Sequence, residues 1–384
     1  MYARNILAVG NFFLAVSATL VSYTLLSYLS SFISETHIGF AIATGGAVTI
    51  MAFFSLPRLV ARYGAQELAL FLAFVNMILL FAAAAAPRTI ASAVFIILTL
   101  SLQPLIFYEL DLLLEATVTN ENATGRVRTL FLTGGNVGAL VAPLLIGTLL
   151  ARVENYTYIF FTAAATLAPF IILFAARRLP EGAIVGHSHL RDTLQRVAQN
   201  RDLLAVTIGH FILYLFYIWA PLYVPIYLHA VLGIPWSALG WMFAVMLVPY
   251  ILIEYPAGWI ADRFLGDKEL MMAGFLIAGS ALAAVGFLTT ISTPLTILAV
   301  LVATRTGAAL IESMTEGHFF RRVSEKDIVS VSVFRGVWPL ANAIAPLVGS
   351  LILFLDGYQM LFILTGGFIL VAGTLSTSSI KDFR

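Results

Sequence analysis

The sequence predicts an all-α polytopic membrane protein with twelve transmembrane helices in two pseudo-symmetric six-helix bundles. Three observations lead there. Of 384 residues, 60% are hydrophobic and only 11% charged, with mean hydropathy +0.96; such a chain cannot present a wettable surface, so its main solvent is lipid. Apolar runs of about 20 residues, the length that spans a bilayer as a helix, recur twelve times. The longest polar stretch falls near the middle of the chain, and residues on its two sides repeat at a nearly constant offset.

The runs lie near 6–32, 38–60, 68–86, 91–114, 129–151 and 156–176, then near 203–228, 236–260, 270–291, 295–314, 329–355 and 357–376. Only Arg4 precedes the first run, and no small-residue cleavage site follows, so a retained span is expected rather than a signal peptide. Between the two sets, the polar segment carries Pro180, Gly182 and Gly186, then a short amphipathic stretch over 190–199. The domains expected are an N-terminal bundle (1–177), a linker (178–202) and a C-terminal bundle (203–384).

Basic residues orient the spans. With both termini cytoplasmic, 17 of the 21 lysines and arginines fall on the inner side, Arg88 and Arg152 on the outer side, and Arg305 and Arg335 within spans. The net charge of +1 argues against electrostatic nucleic-acid binding, and the absence of cysteine excludes disulfides and thiolate metal sites.

The halves read as copies about 200 residues apart. Gly10-Asn11-Phe12 matches Gly209-His210-Phe211, Pro57 and Arg62 match Gly258 and Arg263, Glu109 matches Glu312, and Pro143 matches Pro346. After the eighth run the chain reads Gly258-Trp259-Ile260-Ala261-Asp262-Arg263-Phe264-Leu265-Gly266-Asp267-Lys268. This resembles the G-x-L-A-D-R-x-G-R-K loop of the major facilitator superfamily, with one residue inserted before the second glycine. The resemblance implies twelve helices in two parallel six-helix repeats and a solute site near the midplane. It also implies a gating role for Gly258, Asp262 and Arg263, with the Asp262 carboxylate meeting the start of the fifth span near Gly125, where a helix dipole favours it. The matching first-half loop, residues 57–64, has Ala61 in place of the acid, so the latch is expected on one side only.

The fifth run holds Gly138-Ala139-Leu140-Val141-Ala142-Pro143-Leu144-Leu145-Ile146-Gly147. It is similar to the G-x-x-x-G-P-x-x-G-G pattern of drug–proton antiporters, with alanine and isoleucine at two of its glycines. Its small residues serve either export or plain helix packing, and Ala341, Ala345 and Pro346 echo it in the eleventh run. Pro143 and Pro346 are candidate hinges.

The resemblance puts the first, fourth, seventh and tenth spans around a central cavity. Arg305 lies mid-run, where an arginine costs roughly 2.5–3.5 kcal/mol and should face protein or water. Glu312 is seven residues further and nearly in line with it, as Glu109 is with Leu102, whereas Asp111 is rotated by roughly 200° from Glu109. Leu102 stands where the family's fourth-span arginine would be. His210, Tyr214, Tyr217 and Pro221 form one stripe of the seventh span; Asn11, Ala15, Ala18 and Ser22 form a small-residue stripe of the first. Substrate contact is expected from Arg305, Tyr214, Tyr217, Ser22 and Asn11. Asn11, Glu109, His210, Glu254, Glu312 and Arg335 each sit roughly 8–11 Å to the inner side of their span centres. Glu109, Glu312, His210 and Glu254 are the proton-coupling candidates there, and Arg335 a gating one. Static ion pairs, such as Glu312 with Arg335, are the alternative. Because Glu312 shares a helix with Arg305, it is expected to be a fixed counter-charge and Glu109 the proton carrier.

No G-x-x-x-x-G-K-[ST] phosphate loop and no H-E-x-x-H or G-x-S-x-G motif occurs, so neither an ATP-driven pump nor an enzyme is expected, and no cofactor or metal. The function expected is secondary active transport of a small solute, by proton-coupled efflux. Proton-coupled uptake, or a non-transporting sensor or scaffold of the same fold, are the alternatives. The partners expected are a small-molecule substrate, protons and the lipid bilayer, with no nucleic acid, in a monomer at a bacterial or archaeal cell membrane.

Overall fold

The computed structural model describes residues 2–117, 124–180, 199–323 and 328–380, and within these the side chains of 2, 35, 36, 124–129, 254, 255, 262, 328, 329, 331, 332 and 335 are left undescribed. The amphipathic stretch expected over 190–199 therefore lies almost wholly outside the described residues. So do the side chains of Glu254, Asp262 and Arg335, and the expected meeting of Asp262 with the start of the fifth span.

Every element among the described residues is helical. The first six are α1 (Tyr2–Leu29), α2 (Glu35–Tyr63), α3 (Ala65–Ala85), α4 (Ile90–Ala116), α5 (Thr124–Leu149) and α6 (Thr157–Ala175). There follow α7 (Arg201–Ile226), which continues as a π-helical turn (Tyr227–Val231), then α8 (Trp236–Arg263), α9 (Asp267–Val285), α10 (Pro294–Arg322) and α11 (Ile328–Ser378). Eleven helices are long and apolar enough to cross a membrane. The last has 51 residues, about 76 Å at the α-helical rise and more than twice a hydrocarbon core. Gly357, at φ 77° and ψ −174°, breaks it, a conformation that a Cβ would strain. The eleventh and twelfth spans are thus joined by a single glycine hinge, where the sequence reading left only residue 356 between its two runs.

The chain divides into two compact units. The first comprises Met1–Ile184 with Pro225–Ala244, the second Val185–Val224 with Val245–Arg384. The last residues of α7, its π turn and the first turns of α8 thus pack with the first six helices.

Small residues make the closest crossings in both units. In the first, a Cβ on Gly134 would lie 2.2 Å from the Ala8 carbonyl oxygen and one on Gly138 2.4 Å from that of Phe12, so α5 lies backbone to backbone on α1. In the second, Gly274 and Gly307 join α9 to α10, and Gly279 and Gly366 join α9 to the last span, each with Cβ clearances of 2.4–2.9 Å to facing backbone. Lipid tails are as apolar as leucine, so such close packing, rather than burial from water, holds spans together. The large exposed side chains, such as Phe40, Phe54, Phe71, Ile172, Leu252 and Phe354, form the lipid-facing surface.

Candidate functional site

In the second unit, α7 and α10 carry the polar side chains the sequence singled out. Arg305 is buried, 3% exposed, with its guanidinium 5.0 Å from the centre of the Phe216 ring. A guanidinium held over an aromatic face is stabilised there by the ring quadrupole. About two turns along the helix, the Glu312 carboxylate accepts a hydrogen bond of 2.6 Å from the Tyr217 hydroxyl. A charge-assisted bond of this length fixes both partners.

The seventh-span stripe is real and is continued by residues that periodicity did not mark. His210 is buried, lies 3.1 Å through Nδ1 from the Thr315 hydroxyl and stacks on Phe334 with centroids 4.0 Å apart. Tyr214 meets the His210 ring edge-on at 4.5 Å and lies nearly parallel to Trp338 at 5.8 Å. Tyr217 is 6.2 Å from Tyr250 of α8. Tyr214, Tyr217 and Trp338 remain partly exposed. The second unit therefore offers an aromatic wall, with Glu312 held by Tyr217 and Arg305 about 10 Å along the same helix.

In the first unit, Glu109 is withdrawn from solvent altogether, at 0% exposure. Asn11 is buried and its amide donates 2.9 Å to the Phe131 carbonyl, binding α1 to α5 beside Gly135. Ser22 is half-buried and its hydroxyl returns to the Thr19 carbonyl at 3.3 Å. Both are engaged within the bundle. The fifth-span pattern is likewise used for packing: Gly138 lies on Phe12, and Gly147 lies against Gly240 of α8, whose Cβ would sit 2.7 Å from the Pro143 carbonyl.

Of the gating candidates, Arg263 is exposed and lies over Trp259 at 5.2 Å, and Gly258 has open space around it. Pro346 is buried in the α7–α11 joint, where Trp219 donates 2.7 Å to the Ala345 carbonyl and Tyr223 donates 3.3 Å to that of Pro346.

The sequence reading missed a buried ionic cluster in the second unit. His318 of α10 lies between Asp202 at the start of α7, 3.0 Å from Nε2, and Asp267 at the start of α9, 3.1 Å from Nδ1. Arg321 pairs with Asp267 and Arg322 with Asp202. Charges inside a membrane protein are retained when paired. The signal was present: His318, Arg321 and Arg322 stand at i, i+3 and i+4 on one helical face, and two aspartates begin helices. Reading the arginines only as orientation markers hid it.

The sequence model described as Major Facilitator Superfamily matches residues 206–380. No curated protein matches the chain. Among solved structures, that of the nucleoside transporter NupG superposes with a TM-score of 0.78 at 14% identity, covering 99% of this chain and 100% of its own. The peptide transporter POT, in complex with sulfate, gives 0.76 at 14% identity, with 98% and 93% covered. A bacterial homologue of the human lysosomal transporter Spinster gives 0.75 at 14% identity, with 98% and 96% covered. At such identities the likeness is one of fold, and it spans the whole chain. Through its second half the chain is similar in sequence to the major facilitator superfamily, and from end to end its fold is similar to those of these transporters.

Proposed function

We propose that this secondary transporter moves a small polar solute by alternating access and couples it to protons, in the direction of efflux. The observation that carries the reading is Arg305: a buried arginine inside an apolar span, set on Phe216 and in line with the Tyr217-bound Glu312. Insertion of such a charge is costly, and its retention on a face shared with Glu312 fits recognition of a solute with an anionic or strongly accepting group. Tyr214 and Tyr217 complete the binding wall, with Asn11 and Ser22 the first-unit candidates. Glu109 is the proton carrier, Glu312 the fixed counter-charge, and His210 and Glu254 secondary proton sites. Gating falls to Gly258, Asp262, Arg263, Arg335, Pro143 and Pro346. Direction rests on the resemblance of residues 138–147 to the antiporter pattern. Both termini are placed in the cytoplasm of a bacterial or archaeal cell on the basic-residue asymmetry, with the chain acting as a monomer.

The test is made on purified protein. Solutes that raise its melting temperature through preferential binding to the folded state are selected. They are then loaded into proteoliposomes under an imposed pH gradient. A selected solute should move against its own gradient when protons flow the other way. Equal movement with and without the pH gradient contradicts proton coupling, and co-directional movement contradicts antiport.

A further inference from the structure

At the end of the helices opposite the N terminus, the first unit contains an ion pair that the transport reading does not use. Glu154, in the connection from α5 to α6, lies 2.9 Å through Oε1 from Nε2 of His229 in the π turn that ends α7. The other ring nitrogen, Nδ1, lies 2.9 Å from the Ile234 carbonyl oxygen. A carbonyl oxygen only accepts, so Nδ1 carries a proton and donates it. The Nε2–Oε1 contact then needs a second proton, because a bare imidazole nitrogen and a carboxylate oxygen at that distance are two acceptors facing each other. Whether the species is imidazolium with carboxylate or imidazole with carboxylic acid, the pair holds one proton more than neutral histidine and ionised glutamate.

We infer that Glu154 and His229 form a proton-binding site that is loaded while the π turn and the first turns of α8 are docked on the first six helices, and that loses its proton when they part. The local build supports a joint made to open and close. π turns concentrate at functional sites, and the widened turn at Tyr227–Val231 carries His229 out to Glu154. Gly233, at φ 74°, turns the chain so that the Ile234 carbonyl returns to the ring, and Trp236 lies 4.7 Å beneath it. The joint also contains a crossing of Gly147 on Gly240 and an edge-on contact of Tyr23 with Phe243, which contribute packing but no charge.

The other titratable and charged groups nearby are Tyr28 of α1, Arg88 of the α3–α4 connection, Arg152 and Tyr156 of the α5–α6 connection, and Tyr227 of the π turn itself. Burial, and secondarily the Glu154 charge, push the Tyr156 hydroxyl up to about 12, so it remains a neutral donor. Glu154 is half exposed, which gives the pair's proton a path to solvent. Because the docked form binds the proton, raising the pH favours parting. In alternating access, contacts between segments of the two repeats break at one membrane face in each cycle. On the proposed transporter reading, this site would let the proton concentration at that face bias the cycle.

The chain has no cysteine, so paired spin labels can be placed cleanly. Labels at Arg152→Cys and Ser237→Cys, both at exposed positions, report the distance between the α5–α6 connection and the start of α8. Pulsed electron–electron distance measurements on detergent-purified protein, without substrate, would be made across about pH 5 to 8.5, which brackets imidazole titration. The short-distance population should dominate at low pH and yield to a longer one as pH rises. Linkage of one proton limits the change in population ratio to about tenfold per pH unit. In Glu154→Gln the side-chain amide can accept from or donate to Nε2, so the pH response should vanish while the short distance persists. In His229→Phe it should vanish with the longer population enlarged at all pH values. A wild-type distribution that does not change with pH, or a pH response that survives Glu154→Gln, overturns the inference. Because no solute is involved, its failure is distinguishable from failure of the transport assay.

Discussion

At the residue scale, the His318 cluster reads as framework and Arg305 as the proposed recognition group. His318 has an acidic partner on each ring nitrogen, and each aspartate has its own arginine, so the cluster is saturated by its own side chains. Arg305 lies over Phe216 of α7, on the helix face that continues to Glu312. Removing it should harm recognition more than folding. Arg305→Ala is expected to insert and purify normally and to lose solute binding by roughly 10–100-fold, as expected for hydrogen bonds to a charged group worth about 1.5–3 kcal/mol. A thermal-shift titration with the selected solute reads this directly. Normal transport, or a badly unfolded variant, would reassign the arginine to structure. Depth in an apolar run singled out Arg305, and helical spacing singled out His210, Tyr214 and Tyr217 once the family resemblance had pointed to the seventh span. Phe216, Tyr250, Phe334 and Trp338 were invisible to both, since an aromatic residue in a membrane helix gives no sign of whether it faces lipid or a site.

At the element scale, hydropathy located every span among the described residues but misjudged ends where polar partners extend a helix. The tenth run was expected to stop at residue 314, yet α10 continues to Arg322. Its last turns carry Glu316, His318, Arg321 and Arg322, and the aspartates of α7 and α9 pair with this polar end, His318 at its buried centre. No apolar count could register that. The reverse holds in α9, which ends at Val285 rather than near 291, because Gly286 and the turns after it close the helix early. Close crossings give this scale its stability test. A Cβ at Gly307 would lie 2.4 Å from the Ala278 nitrogen, so Gly307→Val must push α10 off α9. A cost of at least about 1–3 kcal/mol, the usual range for overpacking, is expected as a lowered melting temperature. Gly367→Ala, where nothing lies within 4 Å, should leave stability unchanged or raise it by about 0.5–1 kcal/mol. Equal behaviour of the two variants would show that these glycines do not set the crossing.

At the scale of the whole molecule, the repeat was legible from a handful of offset residues, and the fold it implied is the one found. The assignment of Pro225–Ala244 to the first unit was not legible, because it depends on Gly147 meeting Gly240 and Glu154 meeting His229 across more than 70 residues of chain. Orientation in the membrane rests on the 17 to two division of basic residues and has its own test. Single cysteines at Ala183 and Pro87, in a chain that otherwise has none, should be labelled from the inside and the outside respectively. The opposite pattern reverses every statement about inner and outer sides.

The central claim is that protons drive the transporter through Glu109. Glu109 and Glu312 occupy equivalent places in the two repeats; Glu312 has an arginine on its own helix face and the Tyr217 hydroxyl on its carboxylate, and Glu109 is fully buried. Glu109→Gln keeps the shape of the protonated side chain and cannot release a proton. The measurement is accumulation of the selected solute in proteoliposomes under a pH gradient, beside its exchange across the same membranes without one. Glu109→Gln is expected to lose gradient-driven accumulation while retaining exchange. Full accumulation by Glu109→Gln would contradict the claim and move the proton path to His210 and Glu254.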